Sequence, residues 1–173
     1  VRLVPGRIED AFVAMEAATS RLVAADVAPV TMGGDGAVTL PQLRALRRRY
    51  PDLVALHIDS HTDAYGYSNE EKYNNATQFT HAAGEGLIDA KRSLHIGIRG
   101  PNSVGGVVGR ARDLGYGVVT LRDLIRRGTP DVLAEVHDAM AGAPVYLCWD
   151  MDVFDPSVAP GVATPVWGGL SAR

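Results

Sequence analysis

The chain has 173 residues, 46% of them hydrophobic and 21% charged, with a formal net charge of -3 at pH 7. These proportions exclude a disordered or fibrous chain and fit one globular α/β domain over residues 1–173, while the acidic balance gives nucleic acid no long-range attraction. A single cysteine, Cys148, excludes an internal disulfide framework and a Cys-rich zinc site, in keeping with a cytoplasmic location.

In chain order, residues 8–26 carry Ile8, Phe12, Met15, Leu22 and Val23 at a spacing that predicts a helix. "APVTMGGDG", 28–36, reads as a short buried strand ending in glycines. "LPQLRALRRRY", 40–50, reads as a helix whose arginines form a solvated face. Apolar strands follow at "LVALHID", 53–59, and "SLHIGIRG", 93–100, separated by "AYGYSNEEKYNNATQ", 64–78, a loop long enough to be functional or disordered. "VVGRARDLG", 107–115, predicts a helix ending at Gly115, then come a strand at "GVVTL", a helix over about 130–141 and a buried strand at "PVYLCWD". No apolar run reaches the roughly 18 residues of a membrane span, so no membrane partner is expected.

Short strands alternating with helices imply a mostly parallel sheet covered on both faces, a three-layer αβα fold. Chemistry in such sheets collects beyond the C-terminal ends of strands. That rim would hold Gly33 to Gly36, Asp59 to Asp63, Arg99 and Asp150 to Asp155.

Asp59, His61 and Asp63 recur at every second position, and an extended backbone would aim them at one point. Their oxygen and imidazole donors suit a hard or borderline divalent ion. Asp150 and Asp152 follow another apolar strand and add two carboxylates, which need a cation or a basic group to offset burial. Asp155, before a proline, is a natural turn cap. Four carboxylates and one imidazole exceed the need of one ion and argue for two, a pairing suited to hydrolysis.

"GGDGAVTLP", "HIDSHTD", "HIGIRG" and "DMDVFDPSVAPGVATPVWGGL", in this order, resemble the ureohydrolase family of arginases and agmatinases. The resemblance implies a homo-oligomer and a dinuclear manganese centre bridged by Asp59 and Asp150. Asp63 would belong to one ion and act as the catalytic hydrogen-bond partner of the nucleophilic hydroxide, with His61 and Asp152 on the other ion. The implied reaction is hydrolysis of a small guanidino compound, agmatine or a guanidino acid, to urea and an amine.

Three departures matter. Gly36 stands where the family has a ligating histidine after "GGD", and His57, further back in its strand, reads as a packed core residue. Asn75 stands where the resemblance places a second active-site histidine of agmatinases; with His81 as a compensating residue, these two are the candidate substrate contacts. The family's opening strand and a guanidinium-clasping glutamate beyond "GGL" are not present, which implies the middle of a longer domain. These departures support a rival reading, a non-catalytic homologue with an incomplete centre. A single-metal deacetylase of related fold is a third, less well suited to the Asp150-x-Asp152 pair.

Overall fold

The computed structural model describes residues 6–100 and 104–172. Two compact units emerge: Val1–Leu53 with Asp63–Ile88, and Val54–Thr62 with Asp89–Arg173. None of the helices among the described residues is long and apolar enough to cross a membrane.

The first unit contains helices α1 (Ile8–Ala24), α2 (Thr39–Arg47) and α3 (Gln78–Gly84). Glu9 and Asp10 favour the start of α1 electrostatically, yet its apolar stripe is shallow: Phe12 is buried, whereas Leu22, expected on that face, is 44% exposed. Helix α2 carries the core, with Leu40, Leu43, Ala45 and Leu46 all buried. Its arginines do not all form the solvated face read from the sequence. Arg48 and Arg49 are exposed, but Arg44 makes a two-pronged ion pair with Glu85, 2.7 Å on each prong, and lies over the rings of Phe12 and Tyr73. A planar guanidinium suits both contacts at once.

The strand expected at "APVTMGGDG" does not form. Residues 27–33 have no regular structure, and Val30 and Met32 are almost fully exposed. Apolar composition alone does not make a strand without a neighbour to pair with. Asp35 ends the segment by accepting the Ala37 amide at 2.8 Å, capping a 3-10 turn over Gly36–Val38.

The second unit is built on a four-stranded parallel sheet of β1 (Val54–Ile58), β2 (Leu94–Ile98), β3 (Gly117–Thr120) and β4 (Val145–Trp149), in the order β3-β2-β1-β4. Helices α4 (Val107–Asp113), α5 (Leu121–Arg127) and α6 (Thr129–Met140) connect them. Helix α5 was not apparent in the apolar pattern; it starts at a capping box in which Thr120 Oγ1 accepts the Asp123 amide at 3.1 Å. Val54, Leu94, Ile96 and Val119 from the sheet pack with Val132 and Met140 of α6. Strand β4 is an edge strand rather than a buried one, with Leu147 and Trp149 about half exposed.

Gly97 on β2 has φ +102, and a Cβ there would lie 2.8 Å from both the Asp59 carbonyl oxygen and Val153 Cγ2. The missing side chain lets the segments that follow β1 and β4 close over β2. Leu43→Ala, which empties a fully buried position, is expected to cost about 2–5 kcal/mol by chemical denaturation, against less than about 0.5 kcal/mol for Leu22→Ala.

Candidate metal centre

Strand β1 stops at Ile58, and the extended tip expected for Asp59 to Asp63 is replaced by a turn. The cause is local: Asp59 Oδ1 accepts the His61 amide at 2.6 Å, which folds the segment back. The same device follows β4, where Asp150 Oδ1 accepts the Asp152 amide at 2.9 Å. The Asp150 amide in turn donates to the Ile58 carbonyl at 2.9 Å and keeps the two strand ends side by side.

Two such turns on neighbouring parallel strands bring Asp59, His61 and Asp152 together, one ligand atom of each within 4.8 Å of the others. His61 Nδ1 lies 3.0 Å from Asp152 Oδ2 and 3.4 Å from Asp59 Oδ1. Both carboxylates are almost wholly buried. Ser60 fixes Asp152 by donating its amide and hydroxyl to Oδ1 at 3.1 and 2.8 Å, and Thr164 donates to Oδ2 at 3.1 Å. Asp150 stands beside the group, and burial, together with Asp59 and Asp152, raises its carboxyl above the ordinary value.

Behind Asp59 lies a line of rings. His57 Nε2 is 2.9 Å from Asp59 Oδ2, His57 Nδ1 is 2.8 Å from His95 Nδ1, and the His95 ring meets Tyr116 at 4.5 Å. Burial alone would strip the proton from His57, but the Asp59 carboxylate outweighs burial and holds the imidazolium well above its usual range. Burial and the neighbouring His57 push His95 down. His57 and His95 thus share a hydrogen bond between their Nδ1 atoms, while His57 Nε2 faces the Asp59 carboxylate as an ion pair. His57 is a packed core residue, as expected, and also the direct partner of a candidate ligand.

His61 is governed by the same balance: burial lowers its pKa, but Asp152 and Asp59 raise it to about 10. Asp59 is raised by burial but pulled well below the carboxylate range by His57 and His61. Protonated imidazoles thus offset buried negative charge. Asp59, Asp152 and His61 in its neutral form would offer a divalent ion two carboxylate oxygens and an imidazole nitrogen, a donor set that fits hard and borderline metals.

Arg99 serves the backbone of the neighbouring loop. Its Nη2 donates to the carbonyls of Asp152, Phe154 and Val166 at 2.8, 3.1 and 2.7 Å, tying down the loop after β4. Asp155 caps that loop as expected: Oδ1 accepts from Ser157, Oδ2 from the amides of Gly168 and Gly169, and these bonds, Ser157's first, lower its carboxyl to about 2.

In the first unit, Asp63 has a left-handed backbone, φ +47, and its Oδ2 accepts from the carboxamide of Gln78, which is buried at the start of α3. A Cβ on Gly36 would lie 2.8 Å from Gln78 Nε2 and 3.1 Å from the Asn75 carbonyl oxygen. The Asn75 residue is exposed. His81 is enclosed: its Nε2 is 2.7 Å from the Lys72 carbonyl oxygen and its ring packs against Tyr67 and Tyr73, so it clamps the loop over 64–77. Glu70 and Glu71 on that loop are exposed.

The sequence singled out the acidic candidates and not Ser60, Thr164, His95 or Gln78. The serine between Asp59 and His61 was a readable signal; Thr164, twelve residues beyond Asp152, gave none.

A profile of the arginase family matches residues 1–173. The chain is 38% identical over 166 residues to an agmatinase of Proteus mirabilis, covering 96% of this chain and 51% of the relative. It is 34% identical over 164 residues to the human mitochondrial guanidino acid hydrolase, covering 95% and 47%. It thus spans about half the length of these curated relatives. The solved proclavaminate amidino hydrolase of Streptomyces clavuligerus superposes with a TM-score of 0.92 at 32% identity, over 100% of this chain and 57% of that one. The α/β fold class with a parallel sheet, expected from the sequence, is the one these comparisons give.

The charge balance predicts how metal-free protein responds to pH. His61 has a folded pKa raised above its usual 6.5, so its contribution is complete below about pH 6.5 and is lost as pH rises towards 10. Asp59 has a lowered pKa, so its contribution is present above the usual carboxylate range and is lost on acidification. Denaturation of chelator-treated protein across pH should show an alkaline decline that is shallower in His61→Ala.

Proposed function

The chain belongs to the arginase family, and on that premise we propose that it carries the metal-binding part of an amidinohydrolase. The reaction adds water to the guanidino carbon and breaks a C–N bond, giving urea and an amine. The observation that carries this reading is the convergence of Asp59, His61 and Asp152 beyond the ends of β1 and β4. Agmatinase and guanidino acid hydrolase among the relatives support a small linear guanidino substrate, agmatine first and guanidino acids second.

Asp59, His61 and Asp152 would hold the metal, with Asp150 and Asp63 completing a pair of manganese ions on the strength of the sequence motifs. When bound, such ions lower the pKa of a water towards about 7 and polarise the electrophile. The chain's own residues hold the donors in place. Ser60 and Thr164 fix the Asp152 carboxylate, and His57, steadied by His95, fixes Asp59. Asp63 would accept a hydrogen bond from the attacking water. Asn75, exposed on the loop that His81 anchors, would orient a polar group of the substrate but cannot shuttle its proton near neutral pH. A homo-oligomer in the cytoplasm is the proposed setting, supported by the family resemblance and the lone Cys148.

One observation favours a second reading, binding without turnover: Gly36 offers no side-chain donor, and Gln78 stands where one would point.

The test is urea release from agmatine and 4-guanidinobutanoate after manganese loading. Activity should vanish on chelation and return with manganese, and Asp152→Asn should lower kcat/KM roughly 100-fold or more with its circular dichroism unchanged. Metal-dependent acetate release from acetylated amines, with no urea from either compound, would overturn the proposal.

A further inference from the structure

Asp63 and Gln78 form a rigid pair. The Asp63 carbonyl accepts the amide of Phe79 at 3.0 Å, which ties the left-handed turn at Asp63 to the first residues of α3, and Gln78 donates from Nε2 to Asp63 Oδ2. Gln78 is 1% exposed, and its Oε1 has no hydrogen-bond partner among the described residues. A buried carbonyl oxygen beside a carboxylate is a costly thing to leave unmatched, and the groups that match it are a hydrogen-bond donor or a cation.

We propose that Gln78 is a metal ligand: its Oε1 and the Asp63 carboxylate bind the same divalent cation, and Gly36 is the residue whose missing side chain gives the carboxamide room. The proposal rests on the reading above that Asp63 serves an ion. A carboxamide oxygen is a neutral hard donor of the kind manganese, magnesium and calcium accept. Without a cation, the amide end of Gln78 satisfies Asp63. A half-turn about the Cγ–Cδ bond exchanges Nε2 and Oε1, and two oxygens face each other across that short gap only when a cation lies between them. The same side chain therefore serves both states without backbone movement. A residue larger than glycine at position 36 would collide with it, because the Cβ position is 2.8 Å from Gln78 Nε2.

The experiment is manganese content per chain by elemental analysis after gel filtration, with affinities by calorimetry, for wild type, Gln78→Leu, Gln78→Glu and Asp152→Asn. Wild type should hold two ions. Gln78→Leu, similar in volume but without a donor atom, should hold one, its remaining affinity unchanged. Gln78→Glu keeps the oxygen and loses the amide donor, and it should retain both ions with the weaker site at least tenfold tighter. A merely structural amide clamp would instead lose its fit with glutamate. Two ions at wild-type affinity in Gln78→Leu, loss of an ion in Gln78→Glu, or one ion in wild type would overturn the assignment. If that one ion disappears in Asp152→Asn, the amidinohydrolase reading survives while the role of Gln78 falls.

Discussion

Asp59 and Asp152 are carboxylates with almost no contact with solvent, and their surroundings are organised by the need to offset that desolvation. Without an ion, the offset comes from His57 and His61, each drawn into the charged state by the acids beside it. Burial of this kind is expensive as a way of stabilising a fold, since apolar residues of similar size do as well or better. What it provides is a set of acceptors already stripped of water and already aimed. The parallel sheet is the means: it sets the ends of β1 and β4 next to each other, and one Asx turn after each strand aims the side chains.

The same constraint explains residues that touch the candidate ligands only through their backbone or not at all. Gly97 has no side chain, so the Asp59 backbone and Val153 can approach β2. Arg99 collects three carbonyl oxygens with one nitrogen, and Asp155 fastens the far end of the same loop through the amides of Gly168 and Gly169. The stretch from Asp150 to Gly169 is held at several points, which keeps Thr164 against Asp152. In the first unit, the Arg44 guanidinium over Tyr73 and the ring packing around His81 give comparable support to the long loop.

Much of this was legible in the sequence because short apolar runs bounded by turn residues mark strands. The strands at Val54–Ile58 and Val145–Trp149 and the carboxylates that follow them could be placed from composition alone. The strand at 28–36 failed because a run such as Val30-Thr31-Met32 says nothing of whether a partner lies beside it. The extended reading of Asp59 to Asp63 failed because side-chain to backbone hydrogen bonds compete with the strand, and their outcome depends on turn geometry that spacing does not encode. Gln78 escaped notice for a different reason. Its contacts with Asp63 and Gly36 span fifteen and forty-two positions of chain, and a polar residue opening a helix carries no mark of burial.

The central claim is that the buried acids beyond β1 and β4 form a cation site. The most direct measurement is anomalous scattering at the manganese edge from crystals of the protein grown with manganese. A peak within coordination distance of Asp59, His61 and Asp152 is the predicted result. Ordered side chains at saturating manganese with no peak among them would contradict the account.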